Sequence, residues 1–520
     1  MFCEECGAQL EAGARFCENC GAQIDQAASG AGSAPEPVAE PVAVPAKKAG
    51  GGAESGVIVT RLSALAEQLN CSSQELSDKI AEYVAFKKER GVDYSLIDLQ
   101  NSGPSVDSVI SALKEKLEAN PFKYVFILGN EEIINVAKWE NKSEDSDPLV
   151  PSDFAYTSLS SSSPWDGVDM GIDKMLCVGR LPSYAGESLS KFASYFENAM
   201  KADGAFSSLK YYGLSAKVWG NESAYEFKKF SSRAVDLSPN VTCEDVGQRI
   251  NGDENILFFN LHGSDETKYW YGQEDSSYPE AFAPENLDAV KTPFFLGVEA
   301  CYGARYAGNL DESQSVIVKA MQSGCLAALG SSMIAYGTPE PNGSCADFII
   351  GEYLKEICLG SSAGDAHLAG IDRLFSESDD FSDTETKTLA EFSLYGDPSA
   401  STGKSSAGAS LKTAFSSPLI SASLASFAKK KAAGRYVSLP DIRAAVQMNL
   451  AQVDEKIAQM INKHVYSFYK ELEGVEAKTF RFSSKDLWQS IYQKKINAIN
   501  KTVKVYYDSA GRIKKELESK

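Results

Sequence analysis

Tyr124-Val125-Phe126-Ile127-Leu128 is a run of five apolar residues between polar neighbours, the length and composition of a strand buried on both faces. Working upstream, residues 106–119 read as a helix and residues 94–99 as a strand. Residues 73–90 place Leu76, Ile80, Tyr83, Val84 and Phe86 on helical spacing before Gly91 ends the pattern. Val57-Ile58-Val59 opens the series as another strand. The order β-α-β-α-β predicts an α/β fold with a doubly wound, mostly parallel sheet and helices on both faces. Further buried strands are expected at residues 256–261, 293–299 and 325–329. Ligand sites in such sheets lie beyond the carboxyl ends of the strands.

Outside this body the chain changes character twice. Residues 1–24 repeat one short pattern, Cys3-Glu4-Glu5-Cys6-Gly7-Ala8-Gln9 and Cys17-Glu18-Asn19-Cys20-Gly21-Ala22-Gln23. Each Cys-x-x-Cys puts two thiolates on one tight knuckle, and Cys3, Cys6, Cys17 and Cys20 together suit a tetrahedral Zn²⁺ site. Four sulfurs leave no open position, so the zinc is expected to be structural and to supply the folding energy of a very small module. A redox role is disfavoured because no strand-helix pattern surrounds either pair. Residues 25–56 are rich in Pro, Ala and Gly and read as a linker, and residues 401–435 form a second, Ser/Ala-rich one. The divisions are therefore a zinc ribbon at 1–24, a body at 57–400 and a C-terminal module at 436–520. In that module Ile442, Val446, Leu450, Val453, Ile457 and Ile461 predict an amphipathic helix of about six turns. Alternating Val503, Val505 and Tyr507 before Asp508-Ser509-Ala510-Gly511 predict a hairpin, so the appendage should be α+β.

The 520 residues carry 51 basic and 71 acidic side chains, a net charge of −20. Residues 429–520 hold 19 Lys and Arg against 10 Asp and Glu, so a tail of about +9 follows a strongly acidic body. The body repels nucleic acid and favours cationic ligands, while the tail suits an anionic surface, the body included. A tail docked electrostatically on the body as an autoinhibitor is one role open to it. No apolar run approaches the roughly 18 residues of a membrane span. The start lacks the basic region and apolar core of a secretory signal, so a cytoplasmic location with reduced thiols is expected.

Only three histidines occur, at 262, 367 and 464. His262 follows the run Ile256-Leu257-Phe258-Phe259-Asn260-Leu261, at the carboxyl edge of a buried strand. The next such run, Pro293-Phe294-Phe295-Leu296-Gly297-Val298-Glu299, leads into Ala300-Cys301. Neighbouring strands are about 4.8 Å apart, so their ends can share one substrate. Cys301 then supplies a nucleophile and His262 a general acid and base. The amides of Gly263 and Cys301 suit an oxyanion hole, since Gly263 has no side chain to obstruct a carbonyl.

Strand-His-Gly followed by strand-Glu-Ala-Cys resembles the caspase-like clan of cysteine peptidases, and within it the gingipain family. Ser152-Asp153-Phe154-Ala155-Tyr156, Val178-Gly179-Arg180-Leu181-Pro182, His262-Gly263-Ser264-Asp265-Glu266-Thr267 and Leu394-Tyr395-Gly396-Asp397-Pro398-Ser399 fit that family in order. The resemblance implies a caspase-like fold and a cysteine endopeptidase that cleaves protein or peptide substrates after Arg or Lys. It further implies an acid assisting the histidine, for which Asp173 is the candidate, and an S1 carboxylate, for which Glu187 is the candidate. The ribbon looks like those at the N-terminus of many bacterial proteins, and a protein partner is expected for it. Two other readings stand beside this one. A catalytically silent caspase-like scaffold would bind partners through ribbon and tail, but it has no need of both His262 and Cys301. A ribbon that binds nucleic acid is disfavoured by Glu4, Glu5, Glu11 and Glu18 against Arg15 alone.

Overall fold

The computed structural model describes residues 54–167, 175–202, 206–341, 343–378, 381–403, 448–482 and 485–520. The expected opening is present as β1 (Glu54–Thr60), a helix over Ser73–Glu89, β2 (Val92–Asp98), a helix over Val106–Ala119 and β3 (Tyr124–Leu128). Local chemistry explains the helix starts. Ser72 and Glu75 form a reciprocal capping box, with Glu75 N donating to Ser72 Oγ at 3.2 Å and Ser72 N to Glu75 Oε2 at 2.9 Å. Ser105 Oγ accepts from Ser108 N at the second helix. β1 pairs in parallel with both β2 and β3. The chain steps from β1 to β2 and then back across β1 to β3, so right-handed crossovers lay the two helices on opposite faces. β1 begins at Glu54, inside the stretch read as linker up to residue 56. Glu54 pairs with Val92 there, and its carboxylate takes Lys123 at 3.1 Å and Tyr124 at 2.7 Å.

After a small antiparallel pair, β4 (Ala137–Glu140) with β5 (Leu149–Ser152), the main sheet continues through β6 (Cys177–Leu181), β7 (Tyr211–Ala216), β8 (Asp236–Ser238) and β9 (Ile256–Asn260). A second small pair, β10 (Trp270–Tyr271) with β11 (Glu280–Phe282), precedes β12 (Phe294–Val298) and β13 (Cys325–Ser331). β14 (Tyr336–Gly337) and β15 (Phe392–Gly396) follow. The ten-stranded order is β2-β1-β3-β6-β15-β13-β12-β9-β7-β8. Every neighbouring pair is parallel except β13 with β15. The sheet is thus two parallel halves running in opposite directions across one antiparallel seam, and the carboxyl edge of the second half lies beside the start of β15.

Two buried ion clusters tie this framework together, and both come from the segments that carry the family pattern. Arg180 is fully buried and grips Asp153 with two bonds, 2.7 Å from Nε and 2.6 Å from Nη2, while Nη1 donates to the carbonyls of Gly129 and Ile134. Asp397 accepts from Tyr83 at 2.5 Å, Tyr94 at 2.6 Å and Ser399 N at 2.8 Å, with Lys87 at 3.1 Å. It therefore joins distant elements rather than closing only its own turn.

The C-terminal residues form β16 (Met448–Leu450), β17 (Lys478–Phe482), β18 (Trp488–Ile496), β19 (Ile499–Tyr507) and β20 (Ile513–Ser519). Together with β14 of the body they make an antiparallel sheet in the order β14-β20-β19-β18-β17-β16. The expected hairpin is β19 with β20, turning at Asp508, whose Oδ1 accepts from Ala510 N and Arg512 N. The helix lies later than its apolar spacing predicts. It spans Glu455–Phe468, capped by Asp454, and Leu450 belongs instead to β16, opposite Phe480. Ile442 and Val446 are outside the described residues. Ile461 and Val465 pack on Tyr492, Val503, Val505 and Tyr507, so the module has an apolar core of its own.

Replacing Asp153 by Ala strands the buried Arg180 cation, and a loss of about 3–5 kcal/mol in unfolding free energy is expected. A denaturant titration checks this, and a loss below about 1 kcal/mol would contradict the structural role assigned to the pair.

Candidate active site

β12 pairs in parallel with β9, with Val298 opposite Phe259, and the ladder extends one bond further from Glu299 N to Phe259 O at 2.8 Å. The residues that leave these two strand ends therefore emerge side by side. His262 is pinned by a two-way backbone bridge to Tyr271, at 2.8 and 2.7 Å. The backbone of Gly263 lies directly against Cys301, so that a Cβ at position 263 would overlap the Cys301 carbonyl oxygen and sit 3.1 Å from its nitrogen. Only glycine permits that approach. One result is that the amides of Gly263 and Cys301 converge on a single oxygen, the Lys520 carbonyl, at 3.5 and 3.2 Å.

The Cys301 thiol is buried, 3.5 Å from the Ala335 carbonyl, and burial pushes its pKa above the ordinary range. The His262 ring lies between Trp219 and Tyr278, with ring centroids at 4.4 and 5.2 Å. Its Nε2 is 2.7 Å from Gln273 Oε1, while the Gln273 amide nitrogen donates to the Asp275 carbonyl. That arrangement makes Nε2 the protonated nitrogen and leaves Nδ1 as a base, without a hydrogen-bond partner among the described residues. Burial, then the cation of Lys501, holds the imidazole well below its usual pKa. Burial thus disfavours both the thiolate and the imidazolium.

The Lys520 side chain enters a buried acidic pocket beside this pair. Its ammonium lies 3.0 Å from Asp347 Oδ1, 3.8 Å from Glu299 Oε2 and 4.4 Å from the centre of the Trp219 indole. Asp347 is aimed by its other oxygen, which accepts from Thr338 N at 3.0 Å and Ser344 N at 2.8 Å. Glu222 is held by Asn260 at 2.9 Å, and neither oxygen of Glu299 has a hydrogen-bond partner among the described residues. Carboxylate oxygens of Glu222, Glu299 and Asp347 lie within 4.8 Å of one another, a spacing that also suits a metal ion, but here the charge among them is an ammonium. Burial and then the neighbouring carboxylates push Glu222 and Glu299 well above the usual range. Burial opposes the charge on Lys520, yet Asp347, Glu222 and Glu299 outweigh it and keep the amine protonated. Gly337 forms one wall, because a Cβ there would overlap Lys520 Cε and lie 2.6 Å from Asp347 Oδ1.

The structure does not bring together every residue the sequence suggests. Cys301, His262 and Gly263 share one strand-end cleft. Asp173 and the four zinc-ribbon cysteines are outside the described residues, and the imidazole nitrogen an assisting acid would hold is bonded to Gln273. Glu187 lies elsewhere: it accepts at 2.8 Å from Gln322, the last residue of the helix over Val316–Gln322 that leads into β13, whereas Ala335, which meets Cys301, follows that strand's far end. The acids that meet a basic side chain are Glu222, Glu299 and Asp347, spread over more than a hundred residues, and only Glu299 stands near a recognisable motif. His367 is buried in the helix over Ala363–Glu377, and His464 pairs with Glu516 at 2.8 Å in the C-terminal module.

A strand-end cysteine and histidine sharing a cleft on a doubly wound sheet define a caspase-like thiol hydrolase. Residues 64–402 match peptidase family C25, and the chain belongs to that family, the gingipains, as a cysteine peptidase. Residues 2–24 match a zinc-ribbon domain. Similar solved structures include the Arg-specific cysteine proteinase gingipain R, 13% identical with a TM-score of 0.48, covering 69% of this chain and 80% of that one. Another, described as a protease, is 10% identical with a TM-score of 0.45 and covers 90% of both chains. No curated protein matches the chain.

Glu187 offers a test of its reassignment. Burial raises its pKa from 4.5 to about 8, so the folded protein binds a proton that the unfolded chain releases, and this group erodes stability as pH rises from about 4.5 to 8. Glu187→Gln should flatten the fall of Tm over that interval while leaving peptidase specificity unchanged. An unaltered pH slope, or a lost preference for basic residues, would contradict the placement.

Proposed function

We propose that the protein is a cysteine endopeptidase that hydrolyses peptide bonds after basic residues, lysine foremost, with Cys301 as nucleophile and His262 as general acid and base. The observation that carries this reading is the position of Lys520. Its carbonyl oxygen meets the amides of Gly263 and Cys301 while its ammonium lies among Glu222, Glu299 and Asp347. A main-chain oxygen and a basic side chain thus occupy the places that a substrate's P1 residue requires.

In the reaction the Cys301 thiol gives its proton to His262 Nδ1 and the sulfur attacks the P1 carbonyl carbon. The resulting oxyanion is held by the amides of Gly263 and Cys301. His262 returns the proton to the leaving nitrogen, the C–N bond breaks and the amine departs, leaving a thioester. Water then loses a proton to Nδ1 and attacks the thioester, and the Cys301 sulfur leaves, recovering its proton from His262 as the new carboxyl group is released. Gln273 keeps Nε2 protonated throughout and fixes the ring. Asp347 at 3.0 Å and Glu299 at 3.8 Å, with Glu222 beside them, make an acidic pocket suited to a lysine ammonium, and the absent side chain at Gly337 leaves room for its stem.

The N-terminal match, with Cys3, Cys6, Cys17 and Cys20 as an all-thiolate donor set, fits a structural Zn²⁺ that folds the ribbon for a protein partner.

A P1-scanning fluorogenic peptide library under reducing conditions tests the reading in the full chain and in Lys520→Ala, with Cys301→Ala as control. Thiol-dependent cleavage after Lys or Arg, absent in the control, is the expected result. A folded Lys520→Ala protein that cleaves no peptide would overturn the reading.

Asp347→Asn in the Lys520→Ala background should lower kcat/KM for a Lys-P1 peptide at least tenfold, the scale of a lost buried charge contact of roughly 2 kcal/mol. The two backbone amides hold the oxygen of the new side chain, which turns its NH₂ toward the substrate ammonium. An unchanged kcat/KM would remove Asp347 from substrate recognition.

A further inference from the structure

β20 runs antiparallel to β14, with Ser519 opposite Tyr336 and Glu518 opposite Gly337, and Lys520 N donates to the Ala335 carbonyl at 2.9 Å. These bonds lay residues 518–520 along the strand that flanks Cys301, in the direction that delivers the Lys520 carbonyl to the amides of Gly263 and Cys301. The segment therefore fills three places at once: the strand edge, the basic pocket and the paired amides.

Contacts on either side fix it there. Glu518 accepts from Trp219 Nε1 at 3.0 Å and pairs with the buried Lys501, whose amine lies 3.3 Å from Gln273 Oε1. Leu517, Tyr506 and Phe482 pack in one apolar cluster with Cys301, Tyr302, Ile334, Tyr336 and Cys345. Ser264, two residues after His262, donates to the Ala498 carbonyl at 2.7 Å. Tyr278, on the histidine ring, donates to Glu471 at 2.9 Å. The module thus touches the nucleophile loop, the histidine loop and the residue that orients the imidazole.

We propose that the C-terminal module is a tethered inhibitor whose last strand occupies the peptidase cleft as a substrate-like ligand, with Lys520 in the P1 position, so that the enzyme rests closed and opens when the module lifts. The proposal rests on the peptidase reading above. A peptide substrate and the tail compete for the same backbone edge and the same carboxylates, so occupancy by one excludes the other. Removal of the module also takes away the Lys501 cation, which after burial is the second cause that holds the His262 imidazole below its usual pKa.

Two measurements test this. The first compares kcat/KM for a Lys-P1 fluorogenic peptide in the full chain, in Lys520→Ala and in Lys520→Met, with circular dichroism and thermal melting as controls for folding. A rise of tenfold or more in either folded variant is expected, while equal rates in active, folded proteins would overturn the inhibitory role and leave the peptidase reading standing. The second needs no turnover. In the Cys301→Ala background, a fluorescently labelled peptide ending in Leu-Glu-Ser-Lys should bind the Lys520→Ala chain at least tenfold more tightly than the chain that keeps Lys520. Equal affinity for both would overturn occupancy of the cleft by the tail, whatever the catalytic competence of the site.

Discussion

Everything that makes the cleft chemically useful depends on one steric contact, the backbone of Gly263 against the backbone of Cys301. The parallel register of β9 and β12 brings the two strand ends level, and the missing side chain at position 263 lets the loops that leave them touch. That contact aligns two amides on one oxygen, sets the thiol beside the Ala335 carbonyl and puts the imidazole one residue away. Any side chain at 263 would push the loops apart and dissolve all three relations together.

Much of the fold was legible because its signals are local. Five apolar residues at Tyr124, the helical pattern over residues 106–119 and the helical spacing after Ser73 each report on a few neighbouring residues, and the elements they predict occur within a residue or two of their expected ends. The strand-end positions of Cys301 and His262 were legible for the same reason, since apolar runs announce where buried strands stop. What the sequence concealed are relations between distant segments. Glu222, Glu299 and Asp347 converge only because three separate elements reach one pocket, and Gln273 reaches His262 only through the bridge at Tyr271. Glu187 attracted attention by its closeness to a family segment, yet that segment is structural, built around Arg180 and Asp153. The C-terminal helix was placed too early because Leu450 continues the apolar spacing backward, whereas Asp454 supplies the cap that starts the helix.

Charge asymmetry pointed toward a basic tail on an acidic body, and the contact found is of a different kind from surface attraction. Lys520, Lys501 and Lys504 are all fully buried at the junction. Burial draws Lys501 and Lys504 down to about 8, whereas the acidic pocket keeps Lys520 charged. Desolvated pairs of this sort are weakly screened by salt and are costly when one member is removed. The apolar cluster around Leu517 adds a contribution that salt does not weaken. The junction is therefore specific in geometry, and the excess of positive charge on the rest of the tail is secondary to it.

The two edges of β20 are unequal. One is held by β19 over five residue pairs, the other by β14 over two, and the helix over Glu455–Phe468 packs with β18 and β19 in a core that owes nothing to the body. The contacts of the module with the body, β14 and the apolar cluster around Leu517 included, lie outside this core, so the hairpin and its helix do not depend on them for their own packing. Under the tethered-inhibitor proposal the plug and the core that carries it therefore form one unit, so a partner that engages the far side of the module would act on the cleft through a body with its own apolar core.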